Sequence, residues 1–167
     1  MKSLYLIRHA KSSWDYPDLT DFERPLNKRG LRDAPFMGMI LREKQIAPEL
    51  FLSSPAKRTL TTAQLFANAM NYPAAQIVTE PRIYEASRQT LLDIIQSLPD
   101  TLNSVAVFCH NPAITDLANF LSDKRVDNVP TCGIFSVSLD SPSWRSLGEG
   151  KCVFNFFLYP KKFLKAV

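Results

Sequence analysis

The 167 residues contain no apolar run of membrane-spanning length. The apolar stretch nearest the start, Leu4 to Ile7, stops at Arg8 and His9, too soon for the hydrophobic segment of a signal peptide. A cytoplasmic protein is therefore expected. Cysteine is scarce and badly spaced for cross-linking: Cys109, Cys132 and Cys152 form no Cys-x-x-Cys pair, and an odd number leaves one outside any disulfide scheme. Reduced thiols are the simpler reading. Repeats, low-complexity tracts and linkers are missing too, and the length suits one domain covering residues 1–167.

Charge of one sign is also in short supply, with 20 Lys and Arg against 16 Asp and Glu, a net charge of +4. A nucleic-acid binder would gather its cations on one element among aromatics. Here they are spread, apart from Lys28 with Arg29 and the tail group Lys161, Lys162 and Lys165. Neither nucleic acid nor membrane is expected as a partner, and the mild excess suits an anionic substrate. The acidic residues form no Mg²⁺-binding cluster, so no metal or other cofactor is expected.

What the chain does have is an alternation of strand-like and helix-like segments. Leu4 to Ile7, Leu50 to Leu52 and Val105 to Phe108 read as buried strands. Helical spacing follows in Ala63, Phe66, Ala67 and Met70, in Leu91, Ile94, Ile95 and Leu98 from about Ser87, and in Ile114, Leu117, Ala118 and Leu121. Asn27 to about Glu43 also looks helical, with Asn27 as cap and Leu31, Ala34, Gly38 and Leu41 in phase. Pro35 falls inside it, so the helix either begins later or bends there. Ile134 to Leu139 and Cys152 to Tyr159 read as a closing antiparallel pair. This order predicts an open α/β fold, a mostly parallel sheet with helices on both faces, whose ligands gather at the carboxyl ends of the strands.

Histidine occurs twice, and both residues follow strand-like runs: His9 after LYLIR and His110 after VAVFC. The second strand runs into SSPAKRT, where Ser54 can cap a helix, Pro55 fits its first turn and Arg58 projects toward the strand ends. Arg8 adjoins His9. Two imidazoles and two guanidinium groups brought to one sheet edge repel one another unless an anion sits among them. A phosphoryl group fits: its oxygens suit an arginine fork, and a neutral imidazole held at one nitrogen by a carbonyl can attack phosphorus with the other.

The strand ending in RHA, then SSPAKRT with Thr62 and Ala63, then a strand ending in HNP, resembles the histidine phosphatase superfamily, also called phosphoglycerate mutase-like. DFERPLNKRG at 21–30 and IYEAS at 83–87 are similar to its small branch, the phosphohistidine phosphatases of the SixA type. The resemblance implies a three-layer α/β/α sandwich, His9 as the phosphorylated nucleophile, and Arg8, Arg58 and His110 as phosphoryl ligands. Glu85 is the positional match for the acid that most of the superfamily uses to protonate the leaving group. Arg24, in the loop ahead of Pro25, is a candidate further clamp. Where glycine is common in the family, this chain carries Ala10 and Cys109. Trp14 falls either on the lip of the site or over the core. Cys109 is a poor nucleophile candidate, because cysteine-dependent phosphatases place an arginine six residues later and Thr115 stands there.

The function implied is a metal-free phosphatase acting through phospho-His9 on protein phosphohistidine, releasing inorganic phosphate. Lys11 to Pro25 is the only sizeable loop expected beside the site, which leaves an open cleft for a protein side chain. A phosphatase for a small phosphate ester is the rival reading. A mutase, which needs a closed site, and a non-catalytic phosphate-binding module are further alternatives.

Overall fold

The structure is a computed structural model and describes residues 1–164, so Lys165 of the tail group lies outside it. The strands are β1 (Lys2–Arg8), β2 (Leu50–Ser53), β3 (Val78–Thr79), β4 (Ser104–Cys109), β5 (Ile134–Leu139) and β6 (Cys152–Leu158). They form one sheet in the order β3-β2-β4-β1-β5-β6. The first four run parallel, β5 is antiparallel to β1, and β6 is antiparallel to β5. The closing antiparallel pair is where the sequence pattern puts it. The two-residue β3 is an addition: both residues are exposed, so no apolar periodicity marks it.

Alternation along the strands sorts side chains into two cores. Leu4 and Leu6 of β1, with Val105 and Val107 of β4, face α3 (Arg88–Gln96) and α4 (Ala113–Leu121). Ile7 of β1, with Ala106 and Phe108 of β4, faces α1 (Lys28–Glu43) and α2 (Lys57–Ala69). Burying both faces requires apolar residues at consecutive positions, which is why these strands read as continuous runs. The result is the α/β/α layering expected from the resemblance.

Helix α1 starts where its cap predicts: the Asn27 side chain accepts the Gly30 N–H at 2.9 Å. It neither begins late nor stops at Pro35, which stands inside its 16 residues. Leu31 is exposed, however, and the buried face runs through Gly30, Ala34, Met37, Gly38 and Leu41. The carbonyl deprived of its i+4 donor by Pro35 belongs to Leu31, on the solvent side. Gly30 is fixed by packing, since a Cβ there would come within 2.3 Å of the Lys11 carbonyl oxygen. The helix thus presses directly on the chain just after His9.

Strands β1 and β4 are neighbours, yet α1 leaves β1 toward one face and α4 leaves β4 toward the other. Between them the sheet opens a crevice at the carboxyl ends, the usual ligand position in such folds.

Candidate active site

The β1/β4 register pairs Arg8 with Cys109, so His9 and His110 leave adjacent strand ends together. The His9 N–H donates to the Cys109 carbonyl at 3.2 Å, and the imidazole centroids lie 5.3 Å apart. From the other side Cys132, held at φ 63°, donates its N–H to the carbonyls of Arg8 and His9 at 3.1 and 3.0 Å. His9 is 7% exposed, and its Nδ1 lies 2.8 Å from the Ala10 carbonyl oxygen. A carbonyl only accepts, so Nδ1 carries the proton and the Nε2 lone pair is free. Thr62 braces the next residue: its hydroxyl accepts the Ala10 N–H at 3.0 Å and donates to the Arg58 carbonyl at 2.7 Å.

His110 Nε2 lies 2.8 Å from the Ser54 hydroxyl and 3.3 Å from that of Thr59. Ser54 therefore orients this ring instead of capping α2, whose cap position is Ala56. Pro55 correspondingly precedes the helix. The cis Asn111–Pro112 peptide follows, with Pro112 at the cap position of α4.

Arg8 Nη1 donates to the Val129 carbonyl at 3.0 Å. Val129 belongs to the 122–133 connection, a second sizeable loop beside the site that corrects the one-loop expectation. Asn111 and Thr115 hold that loop through bonds from Asn111 Nδ2 to Asn128 Oδ1 at 2.7 Å and from Val129 N–H to Thr115 Oγ1 at 3.1 Å. Arg58, in the first turn of α2, donates Nη1 to the Asp21 carbonyl at 2.7 Å and Nη2 to Asp21 Oδ2 at 3.1 Å. Arg24 is buried, with Nη2 bonded to Ser12 Oγ and the guanidinium stacked 3.6 Å over the Trp14 ring. Trp14 is 75% exposed and so lies on the lip, away from the core. Glu85 is exposed at φ 61° and, among the described residues, pairs with none of these cations.

Asp21 and Tyr84 are site residues that the sequence reading missed. Tyr84 donates its hydroxyl to Asp21 Oδ2 at 2.7 Å, and its ring meets that of His110 edge-on at 5.7 Å. A signal was present, since Asp21 opens DFERPL and Tyr84 precedes Glu85 in IYEAS.

One set of atoms stands out electrostatically. The buried side-chain nitrogens without a hydrogen-bond partner among the described residues are Arg8 Nε, Arg58 Nε, and Nε and Nη1 of Arg24. Buried donors are almost always satisfied in folded proteins, so three arginines of one crevice sharing this condition mark a place built for an oxyanion. The same environment acts on the imidazoles. Burial chiefly, then the charges of His110, Arg58 and Arg8, pull His9 from 6.5 to about 3 against the opposing pull of the Ala10 carbonyl. Burial followed by the charge of Arg58 lowers His110 to about 4. Burial likewise pushes the Cys109 thiol up to about 12, so it stays protonated at neutral pH.

The amino-acid sequence from residue 4 to residue 98 matches the family model of the histidine phosphatase superfamily, branch 1. The chain belongs to the histidine phosphatase superfamily. The match contains Arg8, His9 and Arg58 and ends before His110. Relatives include an uncharacterized chloroplastic protein of Arabidopsis thaliana, 32% identical across 86% of this chain and 69% of that protein. An uncharacterized protein of Mycobacterium tuberculosis is 34% identical across 77% of this chain and 84% of its own. Among solved structures, SixA from Agrobacterium tumefaciens superposes with a TM-score of 0.82 at 27% identity, covering 95% of this chain and 98% of that one. The protein histidine phosphatase SixA complexed with tungstate gives 0.83 at 24% identity, covering 97% and 99%. The superposition shows a shared fold, which in this chain is a mixed six-stranded sheet between helical layers.

The titration of the two imidazoles has a definite sign. Unfolded imidazoles take up protons near 6.5, whereas the folded rings resist until about 3 and about 4. Their contribution to stability is complete above about pH 6.5 and is lost as the pH falls toward the folded values. Because the chain has two histidines, NMR reads both without ambiguity. Neither imidazole resonance is expected to move between about pH 8 and pH 6. A midpoint near 6.5 for either ring would contradict the burial argument.

Proposed function

We propose that the chain is a metal-free phosphatase that works through a phosphohistidine at His9, with phosphohistidine on a protein as its preferred substrate. The observation that carries this reading is the gathering of Arg8 and Arg58, whose Nε–H groups have no partner among the described residues, around an imidazole whose Nδ1 is held by the Ala10 carbonyl, with Arg24 next to Arg58. In the first step the Nε2 lone pair of His9 forms a bond to phosphorus while the bond to the leaving nitrogen or oxygen breaks. In the second, water attacks phospho-His9, releasing inorganic phosphate and returning the lone pair to Nε2. Arg8 and Arg58 hold the phosphoryl oxygens throughout, Arg24 adds donors from the lip, and His110 donates to an oxygen as charge builds in the transition state. Glu85 remains the candidate acid for an ester, whose alkoxide needs a proton. A phosphohistidine leaving group can be protonated on its own ring and depends on that acid less.

A protein substrate is favoured by the lip. Trp14, Tyr16 and Leu19 are all exposed within the 11–25 loop, an apolar surface that a small ester would leave uncovered. A cytoplasmic setting belongs to the same reading and is supported by three buried free thiols, Cys109, Cys132 and Cys152. The test compares kcat/KM for a histidine-phosphorylated carrier protein with a panel of small phosphate esters. The phosphoprotein should win by orders of magnitude; esters winning by that margin would transfer the assignment to the small-ester reading.

A further inference from the structure

Two segments far apart in sequence meet at Arg58. Asp21 opens a short 3-10 turn, Asp21–Glu23, whose Glu23 carboxylate accepts the Thr20 N–H at 3.3 Å and the Thr20 hydroxyl at 2.8 Å. Tyr84 ends another, Pro81–Ile83. The Tyr84 hydroxyl donates to Asp21 Oδ2 at 2.7 Å, and its ring also takes the edge of Phe22 at 5.1 Å. The oxygen that receives Tyr84 also receives Arg58 Nη2 at 3.1 Å, while the backbone carbonyl of Asp21 takes Nη1 at 2.7 Å.

Both terminal nitrogens of Arg58 thus bond to Asp21, and the Nε left over is buried without a partner among the described residues. The other carboxylate oxygen, Oδ1, lies 3.8 Å from Arg24 Nε. One carboxylate therefore sits between two guanidinium groups that would otherwise repel each other. Glu85, the acid picked out by position, has no such contacts.

We infer that Asp21 and Tyr84 form a clasp across the crevice that sets which edge of Arg58 faces the phosphoryl group, making both of them positioning residues. The inference rests on the reading of the crevice as a phosphoryl site. A guanidinium can bind an oxyanion through its terminal pair or through Nε and one neighbour. Here the terminal pair holds the clasp, so the Nε edge remains for the ligand. Tyr84 fixes the carboxylate without changing the charge of the site. Its removal therefore acts on orientation alone.

The test measures the dissociation constant of inorganic phosphate by calorimetry, which requires no turnover. Tyr84→Phe keeps the ring and both edge-on contacts and deletes only the hydroxyl. Its phosphate affinity should fall about three- to tenfold, the partial loss of one hydrogen bond to a charged group, with a matching rise in KM and kcat within about twofold. Phe22→Leu, which loosens the ring packing but leaves the hydrogen bonds, should bind phosphate as the parent does. Unchanged affinity in Tyr84→Phe, or an equal loss in Phe22→Leu, overturns the clasp. If the parent protein binds no phosphate, the phosphoryl-site reading fails first, and the clasp falls with it.

Discussion

Turnover in His9→Ala is expected to fall by at least about 10⁴, because the variant removes the atom that bonds to phosphorus and leaves only the binding groups. His9 is not replaceable by His110 at 5.3 Å, whose Nε2 is occupied by Ser54 and Thr59. The loss should not come from unfolding. His9 makes one side-chain bond among the described residues, to the carbonyl of the next residue, so alanine removes little that holds the fold. The melting temperature should stay within a few degrees of that of the parent. Activity within about tenfold of the parent would show that another group performs the attack, or that the chemistry is direct hydrolysis.

Arg58→Lys is expected to cost about 10² to 10³ in kcat/KM, although the positive charge is kept. Arg58 makes two bonds at once, Nη1 to the Asp21 carbonyl and Nη2 to its carboxylate, and keeps a buried Nε without a partner among the described residues. An ammonium group at the end of a flexible chain can serve the carboxylate or the phosphoryl group but not both in a fixed plane. It would settle on Asp21, the nearer anion in the free protein. Losing one or two charge-assisted hydrogen bonds in the transition state corresponds to about 3–4 kcal/mol. The exposed neighbour Lys57 serves as the control, since Lys57→Ala should leave kcat/KM within about twofold. A loss under about fivefold in Arg58→Lys would mean that only charge matters at this position.

Much of this site can be read from the sequence because its parts are punctuated. The buried runs of β1 and β4 end abruptly in RH and HNP, and a strand end in a mostly parallel sheet is where ligands collect. Arg58 is legible because it lies within the first turn of a helix that follows a strand. Local turn chemistry is less legible. Ser54 looks like a helix cap in SSPAKRT, yet three-dimensional packing uses its hydroxyl on the His110 ring, and a non-capping Ala56 starts α2. Pro35 looks like a helix breaker, but the carbonyl it orphans faces solvent and the buried face of α1 is unaffected. The clasp was invisible for a different reason. Asp21 and Tyr84 are 63 positions apart, each in a short polar turn whose residues show no periodicity. Nothing local announces that two turns meet across a crevice, and β3 went unread because two exposed residues carry no pattern.

If a phosphoryl group passes through a covalent bond to His9, rapid-quench labelling traps it there. Mixing the protein with ³²P-labelled phosphoramidate and quenching within milliseconds should trap label that is lost in acid and retained in alkali, and peptide mapping should place it on His9. Turnover that proceeds with no trapped label, or label that maps to His110 or Cys109, would contradict the account.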